Sequence, residues 1–150
     1  MPTTFICCRN LLAATFLLAL AAPAGAVGIG QVKIAKGQVT IERQGISLQA
    51  TVGARLQTSD VVRTGADGSV GITMDDDSLL SAGSNSELSL DRYTFDATTN
   101  QGRFDASLNK GTMAVISGRI AKQSPDAMTV RTPTAILGVR GTEFVVSAND

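Results

Sequence analysis

From Gln31 onward the large apolar residues recur at a spacing of two rather than three or four. That spacing commits the chain to extended backbone, in which alternate side chains share a face. Val32 and Ile34 alternate in this way, as do Val39 and Ile41, Val70 and Ile72, Leu88 and Leu90, Met113 and Val115, Met128 and Val130, and Phe144 and Val146. Short clusters of Gly, Asp, Asn and Ser separate them, including Gly65-Ala66-Asp67-Gly68, Asp75-Asp76-Asp77-Ser78 and Gly83-Ser84-Asn85. Many short strands with frequent turns predict an all-β domain, with the alternating apolar residues as its filling. Thr64 to Gly68 is the clearest hairpin candidate, flanked by Val61-Val62 and by Val70 and Ile72. A weak internal echo links Gly37-Gln38-Val39, Gly68-Ser69-Val70 and Gly111-Thr112-Met113, each a glycine turn feeding a strand. The unequal intervals exclude a regular repeat array and suit an irregular two-layered coil of sheet. Tyr93 to Arg103 turns polar after Phe95 and reads as a projecting loop or hairpin tip. Ala121 to Asp126 reads as a second loop.

Ahead of this pattern lies a different composition. MPTTFICCRN carries Arg9 and the amino terminus, the apolar run Leu11 to Ala22 follows, and Ala24-Gly25-Ala26 completes the form of a secretory signal peptide over residues 1–26. A membrane span needs about 20 consecutive apolar residues, and this run is shorter before Pro23 interrupts it. Cleavage after Ala26 would release a single periplasmic domain over residues 27–150, with no membrane insertion. Both cysteines, Cys7 and Cys8, would leave with the leader, so no disulfide or thiol chemistry is expected in what remains. Loss of Arg9 takes a balanced chain, 13 basic against 13 acidic residues, to a slight negative charge. The charges are interspersed, and with one Tyr and no Trp there is little for bases to stack on, so nucleic acid is not an expected partner.

Histidine is absent throughout. That removes Ser/His/Asp and Cys/His nucleophilic machinery along with the common zinc sites, and the chain is expected to be neither an enzyme nor the holder of a cofactor or metal. Asp75-Asp76-Asp77, with Glu87 beyond it, is the one acidic concentration that a hard cation could use. It lacks the turn glycine of a calcium loop, and a solvated turn tip is the expectation.

The stretch Thr132 to Phe144, TPTAILGVRGTEF, departs from simple alternation. Pro133 removes a ladder donor, while Gly138 and Gly141 frame Val139 and Arg140. Val139 stands an odd number of positions from Phe144 and Val146, so a glycine bulge or turn near Gly141 is needed to restore phase. Gly141→Val is therefore expected to be severely destabilising. Arg140 and Glu143 are expected to pair across the kink, or Arg140 to cap nearby carbonyls, with partner recognition as the competing role. Thr132, Pro133 and Gly138 read as structural. Together with KGTMAVISG (Lys110 to Gly118) and TGADGSVGITM (Thr64 to Met74), this wording resembles the FecR domain family of bacterial envelope proteins, over roughly Gln31 to Ser147.

The resemblance implies a solenoid-like, twin-layered all-β domain, which the alternation alone does not separate from a sandwich. It also implies a family motif over Thr132, Pro133, Gly138, Val139, Arg140, Gly141, Thr142, Glu143 and Phe144. The family pattern usually carries Asp-Gly-Ser at the connection that here reads Asp76-Asp77-Ser78. In the family's best-known architecture a cytoplasmic segment engages a sigma factor, and the domain receives a signal from an outer-membrane transporter. Here the export signal leads directly into the domain, which puts a sigma-factor role in doubt. The expected function is a non-enzymatic recognition module that binds another envelope protein, with self-association through an edge strand near the C-terminus. The alternative is a carbohydrate or peptidoglycan module using Tyr93, Phe95 and Phe104.

Overall fold

The computed structural model describes residues 27–141 and 143–149. The expected signal peptide, residues 1–26, with its two cysteines and its cleavage site, lies outside the described residues, as do the motif residue Thr142 and Asp150.

Among the described residues twelve strands and one short helix follow in order: β1 (Gly30–Lys36), β2 (Val39–Arg43), β3 (Ile46–Gln49), β4 (Arg55–Leu56), β5 (Val61–Thr64), β6 (Ser69–Met74), β7 (Leu79–Ala82), β8 (Glu87–Asp96), β9 (Gln101–Ile116), α1 (Arg119–Gln123), β10 (Met128–Arg131), β11 (Ile136–Gly138) and β12 (Glu143–Ala148). They form one curled, mostly antiparallel all-β sheet. Its long strand β9 serves two halves. Residues 101–110 pair with β8, and within them 104–107 also pair in parallel with β10. Residues 111–116 pair with β12, and 113–116 also with β7. One half thus runs β4-β1-β6-β7-β9-β12 and the other β3-β2-β5-β8-β9-β10-β11.

Both halves contribute to a single hydrophobic cluster, with Val32, Ile72, Leu80 and Val115 from the first and Ile41, Val62, Leu88, Leu108 and Val130 from the second. Each large apolar side chain removed from water there contributes about 1.5–3 kcal/mol. Ile34 is the exception to the expected filling. The register slips between Val32 and Ile34, and this bulge turns Ile34 to the solvent face opposite Gly71.

Thr64 to Gly68 is not a hairpin. β5 pairs with β2 and β8, whereas β6 pairs with β1 and β7, so the turn is a corner at which the chain passes from one half to the other. Comparable corners lie at Gly37, at Gly83 to Ser86, and inside β9 at Gly111. They stack: Gly65 N donates to Gln38 O at 2.8 Å, Asn85 N to Gly65 O at 3.0 Å, and Thr112 N to Ser86 Oγ at 3.0 Å. Gly111 is the tightest of them, with φ of +89° and no room for a Cβ beside Ser86. The echo among Gly37, Gly68 and Gly111 is the sequence trace of this stack of corners.

Tyr93 to Arg103 is indeed a hairpin, β8 to β9, with its tip at residues 97–100. The expected loop Ala121 to Asp126 instead begins inside α1, where Ile120 and Ala121 are buried in the core. Among the described residues no helix is long and apolar enough to cross a membrane.

Candidate interaction site

The family motif is built as a hairpin and a kink at one end of the sheet. β10 lies in parallel against β9, and the chain then reverses through residues 132–135. Thr132 N donates to Ala135 O at 2.8 Å and Ala135 N to Thr132 Oγ1 at 3.0 Å, while Pro133, which has no N–H to lose, stands exposed in the turn. β11 returns antiparallel with Leu137 opposite Val130, and Val139 N extends the ladder to Met128 O at 2.9 Å. Val139 is buried. Gly141 then adopts φ of +64°, and β12 sets off antiparallel to β9 with Val146 turned inward and Phe144 half-buried. The expected repair of phase at Gly141 is what the backbone does.

Two expectations about the motif fail. Arg140 and Glu143 are both exposed, and among the described residues no ion pair joins them, nor does Arg140 cap a carbonyl. The kink points the two side chains into solvent instead of across it. Gly138 has no steric reason to be glycine, since a Cβ there would meet nothing within 4 Å. The motif is thus mostly a surface, with Val139 its one fully buried described side chain.

That surface surrounds a gap of about 280 Å³, lined by Leu137, Val139, Arg140, Phe144 and Val146 among others. Among the described residues β11 pairs only with β10 and β12 only with β9, so the gap is bordered by two strands whose outer N–H and C=O groups lack sheet partners. An open strand edge can accept an extended segment through main-chain hydrogen bonds, with pockets reading alternate side chains.

The residue that anchors this end was missed in the sequence. Asp76 is fully buried, contrary to the expected solvated tip, while Asp75 and Asp77 on either side are exposed. Its carboxylate accepts from Ser78 Oγ at 2.8 Å, Ser78 N at 3.2 Å, Tyr93 OH at 3.3 Å and Ile120 N at 3.3 Å. Its own N–H donates to Tyr93 Oη at 2.8 Å, and its carbonyl accepts from Arg119 N at 2.8 Å. Burial, with Asp76 and Asp75 adding negative charge nearby, drives the Tyr93 phenol well above its ordinary range. Gly118 closes the node, because a Cβ there would overlap the Asp76 carbonyl and the Ser78 amide. The β6–β7 turn therefore fixes where β9 hands over to α1, and so where β10 and β11 begin. The one legible signal was Asp76-Asp77-Ser78 standing where Asp-Gly-Ser is usual. Asp77 has φ of +66°, a conformation that favours glycine.

Other concavities lie elsewhere among the described residues. On the outer face, Ile34, Leu79 and Ile116 surround a floor of Gly71, Ser81 and Ala114, enclosing about 340 Å³. A cleft of about 560 Å³ is lined by Val27, Thr58, Asp75, Tyr93 and Phe95, with Asp75 its single carboxylate. Tyr93 and Phe104 are buried, meeting edge to face at 5.5 Å, and Arg119 lies 5.0 Å over Phe95. The aromatic residues named for sugar stacking are thus occupied within the protein. Among the described residues no cluster of three or more metal-ligating side chains occurs.

A family model described as FecR protein matches residues 60–150. The match begins at Asp60 rather than Gln31, so β1 to β4 lie outside it although they pair into the same sheet. No curated protein and no solved structure matches the chain. With the matched segment covering more than half of its length, and with that segment running from β5 through the motif hairpin to β12, the chain belongs to the FecR protein family.

Proposed function

We propose that this chain is an exported, non-enzymatic recognition module of the periplasm, whose β11–β12 rim takes an extended segment of another envelope protein in a signalling or assembly role. In this reading the curled sheet is the solenoid-like, two-layered scaffold that the family resemblance implies, and the leader directs export before its removal. The observation that carries it is the mismatch between motif and core. Arg140 is exposed and unpaired among the described residues, Gly138 borders open space, Ile136 is exposed, and both neighbouring strand edges lack a partner. The turn at residues 132–135 and the kink at Gly141 account for part of the motif, whereas Arg140 and Gly138 serve neither and frame a gap. The absence of histidine, and of cysteine beyond the leader, supports a binding role over a catalytic one.

Photo-crosslinking in cells from Ile136 and Val145, followed by mass spectrometry, tests the reading. Adducts to a second envelope protein that vanish on Arg140→Glu, in a variant that melts as the parent does, are expected. Adducts to no protein other than copies of the chain itself would overturn it.

A further inference from the structure

The sheet has a second open rim, and it matches the first. Sheet order places β3 and β4 at the ends opposite β11 and β12, so each half has one early and one late edge strand among the described residues. Ile46 and Leu48 of β3 are 64% and 40% exposed, although Leu48 is the register partner of the buried Ile41 and both lie on its core-side face. At the late rim Leu137 is the partner of buried Val130 and Phe144 of buried Val115, and both line the gap. One rim therefore presents apolar side chains beyond the end of the core, and the other presents a hollow lined by Leu137, Val139, Phe144 and Val146 together with Arg140.

Charge and direction agree with this fit. β3 and β11 carry no charged residue, whereas the single charge on β4 is Arg55 and that on β12 is Glu143. Both of these side chains are exposed. Following the pairings through each half, β12 runs opposite to β4, and β11 opposite to β3. A copy added in the same orientation would thus form antiparallel joints in both halves at once. The guards among the described residues are Pro133 before β11, the two-residue length of β4 and the Arg43 guanidinium on Arg55 O at 2.9 Å, which leave β3 and β12 as the longer open edges, and stacked-sheet proteins ordinarily need polar caps to stay single.

We propose that copies of this chain stack head to tail, the β3–β4 rim of one entering the β11–β12 rim of the next. Ile46 and Leu48 fill the hollow lined by Leu137 and Phe144, and Arg55 faces Glu143. The contact is heterologous and does not close on itself, so it generates an open row of copies. The inference shares the late rim with the recognition reading but not its occupant; a bound partner segment would terminate a row.

Sedimentation velocity over a concentration series tests it, on the chain as purified from expressing cells with its N-terminus read by mass spectrometry. The average mass is expected to climb past the dimer. Ile46→Lys and Ile136→Lys alter exposed positions at opposite rims. Each alone should be monomeric, while an equimolar mixture of the two should give heterodimers, because each retains the rim the other lacks. Glu143→Arg should raise the association midpoint several-fold, and adding Arg55→Glu should restore it, with melting curves confirming that all variants fold. A strictly monomeric parent, an Ile46→Lys variant that still pairs with itself, or no restoration by the charge exchange would overturn stacking. The recognition reading is judged separately: a monomer that crosslinks to another envelope protein removes stacking alone, and a row of copies with no such adduct removes recognition alone.

Discussion

Arg43 grips Asp60 with two parallel hydrogen bonds, Nε to Oδ1 at 2.8 Å and Nη2 to Oδ2 at 2.7 Å, and Gln57 N adds a third to Oδ2 at 2.8 Å. Asp60 is buried, while the Arg43 side chain stays a quarter exposed. Arg43 Nη2 also reaches Arg55 O at 2.9 Å, so the pair ties β2 to the backbone around β4. Removing the guanidinium would leave a buried carboxylate with only its backbone donor. Arg43→Ala is expected to cost about 3 kcal/mol in urea denaturation, the low end for a broken buried pair because of that partial exposure. A loss below about 1 kcal/mol would mean that the pair behaves as a surface one.

Asp77 holds a left-handed backbone, φ +66°, in which its exposed carboxylate meets Arg119 at 2.9 Å. An exposed pair contributes about 0–1 kcal/mol, whereas a side chain in this conformation costs about 1–2 kcal/mol relative to glycine, somewhat less for Asp. Asp77→Gly is accordingly expected to be neutral or to stabilise by up to about 1 kcal/mol, and Asp77→Val to destabilise by more than about 1 kcal/mol. Thermal melts that rank Val above Gly would contradict the assignment.

Two glycines of similar appearance in the sequence should respond differently. Gly141 has positive φ but open space around it, so Gly141→Ala carries backbone strain alone and should cost about 1–2 kcal/mol. The severe loss expected for Gly141→Val is revised downward for the same reason. Gly118→Ala drives a methyl into the backbone of Asp76 and Ser78, and should cost about 3 kcal/mol or more. Paired denaturation curves decide; equal losses would refute the close approach at Gly118.

Tyr93 is the chain's single tyrosine, which makes its phenol directly readable by absorbance. Its folded pKa lies above the unfolded value of about 10, so the folded state keeps its proton where the unfolded chain gives it up. The resulting stability is complete below pH about 10 and is lost as pH climbs beyond it. Phenolate absorbance is expected to remain flat through pH 10 and then to rise together with unfolding. A simple titration centred near pH 10 in folded protein would show that the phenol is solvated.

The all-β class was legible because buried strands impose a spacing of two, and the corner stack left its mark in Gly37, Gly68 and Gly111. What escaped was the partner of each strand. Thr64 to Gly68 has the local chemistry of a hairpin, but β5 and β6 pair with neighbours in different halves, and no local signal encodes that choice. Ile34 obeys the alternation and still faces solvent because a bulge at Lys33 shifts its register. Asp76 shows why charge is a poor guide to burial at a turn: of three adjacent aspartates, one finds a phenol, a hydroxyl and amides from α1 and the β6–β7 turn, and only its place in Asp76-Asp77-Ser78, where Asp-Gly-Ser is usual, sets it apart. At the motif, the phase repair at Gly141 could be read, whereas the outward direction of Arg140 and Glu143 depends on the kink's geometry.

β9 lends its first ten residues to one half of the sheet and its last six to the other. Neither half can therefore melt without stripping the shared strand from its neighbour, and the molecule should lose its structure in one cooperative step rather than by peeling. Amide protons along residues 104–108 and 113–115 would accordingly be the last to exchange, marking the spine whose opening is global denaturation.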